Sequence, residues 1–298
     1  MLSRRLLLVQ SLLLVVVLLV VGCNSKETVS SQKLTIGVVS YGEGAVSIDK
    51  YERFRDYLAE KTNAIVELEP AYNELQAVEQ IQRNNWSIVF APPGLAAIAI
   101  GRELYIPLFP MEGVSSGQRS VIVVRQASPI QELVDLSYKT IALREPGSAA
   151  GYYLPLYDLY GLTMADVRFA PTPKTVLAWL SQGTVEAGAL SEKQFNRYQR
   201  EFEATKFRII HTTRRIPPGV VLLGPTVERN QQKHIRKVMS QAPPTIIADA
   251  GYVPSAKIPN YEQFIQIVEK VKPLESRVQK APAALTMEKG VDSSQSAE

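Results

Sequence analysis

The sequence is poor in the residues that carry most protein chemistry. Its 298 residues include one cysteine and two histidines. A single cysteine forms no internal disulfide and builds no thiolate metal cluster. His211 and His234 are distant in the chain and lack metal-motif spacing, so neither a histidine-rich zinc site nor a Ser/His/Asp centre is expected. Three enzyme signatures are also missing, the G-x-x-x-x-G-K-[ST] phosphate loop, H-E-x-x-H and G-x-S-x-G. No catalytic residue, metal or cofactor is therefore expected, and the chain does not read as an enzyme. An excess of one charge is lacking too. The 33 Lys+Arg against 29 Asp+Glu leave a formal +4, too small and too evenly spread to mark a nucleic-acid partner.

What is present is a globular composition. The chain is 46% hydrophobic and 21% charged, which excludes whole-chain disorder and collagen-like repeats. Its length suits one large domain or two ordinary lobes.

Residues 1–22 read as an address. Arg4 and Arg5 precede an apolar run over 6–21 that only Gln10 and Ser11 interrupt. A basic start, a short apolar segment and a small residue before the cut is the secretory pattern. The alternative is an uncleaved apolar anchor, but a permanent span needs roughly 20 residues. Val20-Val21-Gly22-Cys23 resembles a bacterial lipobox, which implies cleavage before Cys23 and a lipid on its sulfur. That reading also accounts for the position of the only cysteine. The mature chain would keep 276 residues with 31 basic against 29 acidic groups. Several acyl chains anchor firmly where a single one does not. Residues 23–32, polar and Ser-rich beyond Cys23, read as a tether. The body is thus expected at the periplasmic or extracellular face of a bacterial membrane.

From Lys33 onward, β-rich runs alternate with helical patterns. Strands are predicted at 33–39, 65–69, 87–91 and 106–111, then at 120–124, 140–143, 167–170, 187–190, 207–212 and 220–223. Between them, Tyr51, Phe54, Tyr57 and Leu58 share a helical face that Asp49-x-x-Glu52 would cap, and Asn73-x-x-Gln76 opens a helix carrying Leu75, Val78 and Ile81. Further helices are predicted at 130–136, 149–160, 173–182, 191–201, 228–242 and 261–271. The alternation places the chain in the α/β class, with parallel strands and crossover helices. Beyond Pro273 the composition turns polar and low in aromatics, and a disordered tail over 273–298 is expected.

Two blocks look weakly alike. Ala77-Val78-x-x-Ile81-x-x-Asn84-x-Trp86-x-Ile88 lies on Val176-Leu177-x-x-Leu180-x-x-Gly183-x-Val185-x-Ala187. Two lobes need crossings, and the Gly-, Ser- and Pro-rich segments 113–117 and 214–219 supply them, either as hinges or as ordinary surface loops. The expected division is lobe I over 33–115 plus 216–272 and lobe II over 116–215.

Strand ends that feed helix starts collect in one crevice of an α/β sheet. Four such junctions stand out: Tyr41-Gly42-Glu43-Gly44, Pro92-Pro93-Gly94, Pro146-Gly147-Ser148-Ala149-Ala150-Gly151 and Pro171-Thr172-Pro173-Lys174. At the third, glycine lets backbone approach a ligand. The first N–H groups of the helix lack internal partners and favour negative charge. Gly147, Ser148, Ala149, Ala150 and Gly151 thus suit a phosphate-, phosphonate- or sulfonate-like oxyanion, or else Ser148 simply caps a helix. Tyr41 meets a ligand or supports its own turn. Lys174 meets an anion or stays solvated. Glu192 meets a ligand amine or starts its helix.

These residues reach a known family. The stretch 51–97, with Ile88-Val89-Phe90-Ala91-Pro92-Pro93, resembles the first lobe of phosphate/phosphite/phosphonate-type substrate-binding proteins of ABC importers. Ser120-Val121-Ile122-Val123-Val124-Arg125 is similar to their strand entering the second lobe. Pro146-Gly147-Ser148-x-x-Gly151-Tyr152-x-x-Pro155 resembles their most diagnostic stretch, and Gln182-Gly183-x-Val185-Glu186-Ala187 extends the likeness. The resemblance implies a two-lobed type II periplasmic-binding-protein fold of mixed, mostly parallel sheets, closing by a hinge on a small ligand. It implies delivery to an ABC permease, action as a monomer, and ligand contacts near Tyr41, Pro93, Ser120, the 147–151 bend and Thr172. Ala149 and Ala150 replace the hydroxyl residues that usually follow the serine. Thr172 and Lys174 stand where a histidine is frequent, and the usual acidic partner near Pro218 is absent, so aminoethylphosphonate is disfavoured. The alternative is a binding lobe repurposed as a sensor or assembly partner of a membrane protein, or a binder of another small organic ligand.

Overall fold

The computed structural model describes residues 33–39, 46–112 and 118–286. The leader, Cys23, the tether, Tyr41 with its turn, the crossing residues 113–117 and the chain past 286 lie outside the described residues.

A first sheet holds β1 (Lys33–Val39), β2 (Ile65–Ala71), β3 (Ile88–Ala91), β4 (Ile106–Pro110) and β11 (Val220–Leu223), ordered β2-β1-β3-β11-β4. A second holds β5 (Arg119–Arg125), β6 (Thr140–Leu143), β8 (Asp166–Phe169), β9 (Ala187–Ser191) and β10 (Phe207–Arg215), ordered β10-β5-β9-β6-β8. In each sheet four strands run one way and one runs against them, β11 in the first and β5 in the second. The sheets are therefore mixed rather than purely parallel. Each reversed strand is the first after the chain changes sheets. A chain that leaves one sheet at the carboxyl end of its strands and enters the next at that same end must run its first strand backwards. The molecule is accordingly a two-lobed α/β fold.

Helices flank both sheets. α1 (Val46–Thr62) buries Tyr51, Phe54 and Leu58, the stripe that their spacing predicts. Phe54 meets Phe90 edge-on, ring centroids 5.4 Å apart. α2 (Glu74–Gln82) starts where the Asn73 side chain accepts from Gln76 N–H, and it buries Ala77, Val78 and Ile81. α3 (Pro93–Arg102) is apolar nearly all round, so no stripe marks it among the predicted helices, and it opens at the Pro92-Pro93-Gly94 junction. Pro93 sits in the first turn, where a missing N–H costs nothing. In the second lobe, α5 (Pro173–Gln182) and α6 (Glu192–Tyr198) open on the capping side chains of Thr172 and Ser191. α7 (Arg229–Ser240), α8 (Pro244–Ala250) and α9 (Glu262–Val271) complete the fold.

The two alike blocks occupy equivalent places. In either sheet the first like-directed strand lies between the second and third, and the aligned helix–turn–strand unit is the one leading into the third. Asn84 and Gly183, aligned in sequence, both carry positive φ, 54° and 74°. Each turns the chain sharply out of its helix.

Three expectations change. Only Leu133–Leu136 of the helix predicted at 130–136 is helical, as one 3-10 turn. The helix predicted at 149–160 is a π turn over Ala149–Tyr153 followed by α4 (Leu154–Asp158). The disordered tail does not begin at 273. β12 (Ala283–Ala284) pairs antiparallel with β7 (Thr163–Met164), while Leu274, Val278 and Leu285 are buried. Few apolar residues lie in this segment, but they are spaced so that each finds a socket, which composition alone does not reveal.

Gly37, in β1 and so in an interior strand of the first sheet, lies under the Trp86 indole. A methyl group added there would stand 2.0 Å from a ring carbon. Gly37→Ala should lower the unfolding free energy by about 1–3 kcal/mol, measured as a shift in denaturant midpoint.

Candidate binding site at the 147–151 bend

The bend follows β6, at the carboxyl end of the second sheet. Arg144 N–H donates to the Gly151 carbonyl at 2.9 Å, which closes the loop on itself. Gly147 has φ +104°, a conformation that costs other residues strain. Ser148 accepts the Gly151 N–H on its hydroxyl at 3.1 Å. Its carbonyl accepts from both Tyr152 and Tyr153 N–H, the double reception that opens the π turn. The Ser120 hydroxyl donates to the Ala150 carbonyl, while Ser120 N–H donates to Thr213 Oγ1 at 3.0 Å. The bend is thereby pinned to β5.

This bonding leaves a particular remainder. Among the described residues, no acceptor meets the N–H of Ala149 or Ala150. Both stand in the first turn of a helical segment, where the partial charge is positive. Ser148 and Ala150 are half-buried, whereas Gly147 and Gly151 are buried.

The first lobe packs directly against the bend. A Cβ on Gly94, at the start of α3, would lie 2.1 Å from the Gly147 carbonyl and 2.8 Å from Ala149 N. A Cβ on Gly147 would meet Glu74, Leu95 and Val78. One apolar core continues through Val78 and Leu95 on this side and Ala149 and Tyr152 on the other.

An ion pair joins the two sides. Arg144 Nη2 donates to Glu74 Oε1 at 2.8 Å and to Oε2 at 2.7 Å, and Nη1 donates to the Ala170 carbonyl at 2.8 Å. The two side chains are 4% and 3% exposed. Burial pushes the Glu74 carboxyl above the ordinary value, against the lowering pull of Arg144 and of its own backbone N–H. Neither residue is a sequence candidate. Glu74 reads as a first-turn acid and Arg144 as a charge ending a strand, and nothing local couples positions 70 residues apart.

The remaining candidates differ in their partners. Pro93 is buried in the first turn of α3, beside the bend. Thr172 spends its hydroxyl on capping α5, accepting Thr175 N–H at 3.1 Å. The Lys174 ammonium pairs with Glu201. Glu192 is exposed in the first turn of α6, where a carboxylate suits the helix end.

The model of a family described as ABC transporter, phosphonate, periplasmic substrate-binding protein matches residues 36–266. The chain belongs to this family. Its members are substrate-binding proteins rather than enzymes. Solved structures share the fold at low identity. The XAC2383 protein of Xanthomonas citri, bound to chloride, is 20% identical with TM-score 0.68 over 81% of this chain and 99% of its own. A binding protein component of an ABC phosphonate transporter from Pseudomonas aeruginosa is 15% identical with TM-score 0.63, over 84% and 90%. PhnD1 of Prochlorococcus marinus, in complex with methylphosphonate, is 14% identical with TM-score 0.62, over 81% and 99%. No curated relative matches the chain. Within the family's fold, the bend joins β6 to the helical segment at the carboxyl end of the second sheet, the side where α/β sheets place their ligands.

Proposed function

We propose that this family member is the extracytoplasmic solute-binding component of an ABC importer and takes a small oxyanion of the phosphate, phosphite or phosphonate class at the 147–151 bend. The observation that carries the ligand class is the pair of unpartnered N–H groups at Ala149 and Ala150, in a first helical turn fixed from behind by Ser120 and Ser148. Two backbone donors grip an anion without hydroxyl side chains, so Ala149 and Ala150 are compatible with the role. Pro93, Gly147, Ser148, Gly151 and Thr172 complete the proposed contact set, with Tyr41, which follows β1 in the sequence.

Lobe I comprises 33–115 plus 216–272 in this proposal, and lobe II comprises 116–215. The strands and hydrogen bonds near the crossings support that division. Met111 N–H donates to the Gly219 carbonyl and Ile216 N–H to the Gln118 carbonyl, so the described residues on either side of the crossings are bonded in pairs, which supports a two-stranded hinge. Closure brings α3 and Glu74 onto the bend. Among the described residues, no helix is long and apolar enough to cross a membrane. The proposed attachment is a lipid on Cys23, with the ligand handed by a monomeric receptor to a permease in the same membrane.

Calorimetric titration of inorganic phosphate, phosphite and methylphosphonate should give one site per chain, with compaction in solution scattering. Ala150→Pro removes one donor at a first-turn position that tolerates proline. It should weaken binding about tenfold or more, the worth of one hydrogen bond to a charged group, with little change in melting temperature. No binding across the series, together with an unchanged shape, would rule out the oxyanion reading.

A further inference from the structure

The first sheet has a second end, opposite the bend. There β1 begins at Lys33, β2 at Ile65 and β4 at Ile106, all three running the same way. β1 alone is seven residues long, about 23 Å at the usual rise per residue, so this end is well separated from the proposed ligand site. It is also the end at which the preceding 32 residues join the body, with their apolar run over 6–21.

α7 lies along this end. Its sequence, Arg-Asn-Gln-Gln-Lys-His-Ile-Arg-Lys-Val-Met-Ser, holds four Lys/Arg and no carboxylate. Arg229, Lys233 and Arg236 fall at i, i+4 and i+7, one helical face. With Gln232, Ile106, Leu108 and Leu223 they line a groove of about 130 Å³ that contains no acidic side chain. Arg236 is held in place, donating to the Pro107 carbonyl at 3.3 Å and lying over the Phe109 ring. Among the described residues, Arg229 and Lys233 have no ion-pair partner. Beside the groove, Leu104 and Ile106 are 75% and 40% exposed. Glu103, next to Leu104, and Glu228, at the start of α7, are the nearby carboxylates in sequence, and neither lines the groove.

Cations around an open groove with large apolar side chains at its edge match the boundary of an anionic bilayer, where phosphates lie just above acyl chains. We propose that this face of the first lobe docks on the membrane surface, with a lipid headgroup phosphate between Arg229, Lys233 and Arg236 and with Leu104 and Ile106 toward the acyl boundary. The proposal rests on the lipid-tether reading, because only a chain already held at the surface presents this end to it.

The test uses the full lipid-modified chain in vesicles of phosphatidylcholine alone and in vesicles that also carry phosphatidylglycerol, with amide hydrogen exchange followed over 103–108 and 229–237. Exchange in both segments should slow only with the anionic lipid and recover in high salt, which screens surface charge. The R229Q/K233Q double variant should lower the docked-to-undocked ratio about 30-fold, at the usual worth of each cation near such a surface. Flotation with neutral vesicles, lost in Cys23→Ala, reports the tether alone and separates failure of that reading from failure of the groove. Identical exchange in the two kinds of vesicle overturns the proposal. So does protection by inorganic phosphate on neutral vesicles, which would assign the groove to a soluble anion.

Discussion

Arg144→Met should cost the fold about 3–5 kcal/mol, as expected when one member of a buried ion pair is removed and the other is left behind. The Glu74 carboxylate would then be enclosed with no cation to face. The deficit should shrink as the pH is lowered. Arg144 supplies the main pull that lowers the Glu74 pKa, so without it the folded carboxyl holds its proton more tightly still. A group raised in the folded state contributes stability that is complete below the ordinary carboxylate value of 4.5 and lost as the pH rises through the raised one. Urea unfolding of wild type and variant across that range measures both effects. Adding Glu74→Leu to Arg144→Met should recover most of the loss, because an apolar pair leaves no buried charge. A deficit independent of pH and unchanged in the double variant would mean that packing of the arginine stem, and not its charge, joins the two sides.

The second large effect is expected at Gly94. Its Cα rests on the backbone of the bend, and both atoms nearest an added methyl group, Gly147 O and Ala149 N, belong to main chain. A flexible side chain can move aside, but here the lobes themselves must part. Gly94→Ala should lower stability by about 1–3 kcal/mol and increase the radius of gyration in scattering. Anion affinity should fall with it, since the variant resists closure. Gly37→Ala is the contrast. Its clash with Trp86 lies within one lobe, so it should destabilise without expanding the molecule. Equal scattering curves for the two variants would show that Gly94 does not set the contact between the lobes.

Much of this architecture is legible wherever a local pattern decides the structure. The stripe of Tyr51, Phe54 and Leu58 gives α1, and Asn73 with Gln76 gives the start of α2. Ser148 caps the segment that its position suggests, so the bend can be found from its glycines and serine. What a local pattern does not contain is competition between partners. Lys174 looks available for an anion until Glu201, distant in sequence, takes its ammonium. Glu74 and Arg144 look like solvated charges until the fold sets them together. The directions of β5 and β11 follow from where the chain crosses, which no residue type reveals. The segment after Pro273 reads as tail because its apolar residues are sparse, yet Leu274, Val278 and Leu285 are each enclosed.

That last segment changes the mechanics. It leaves α9, which the Arg102–Glu269 pair holds to α3, and ends in the pairing of Ala283 and Ala284 with Met164 and Thr163. The polypeptide therefore stitches its halves together at three places. Two parallel seams alone would let a jaw gape freely. A third thread, fastened elsewhere and seated along its way by the buried Leu274 and Val278, ties the halves at a point off that axis, so parting them must also unseat it.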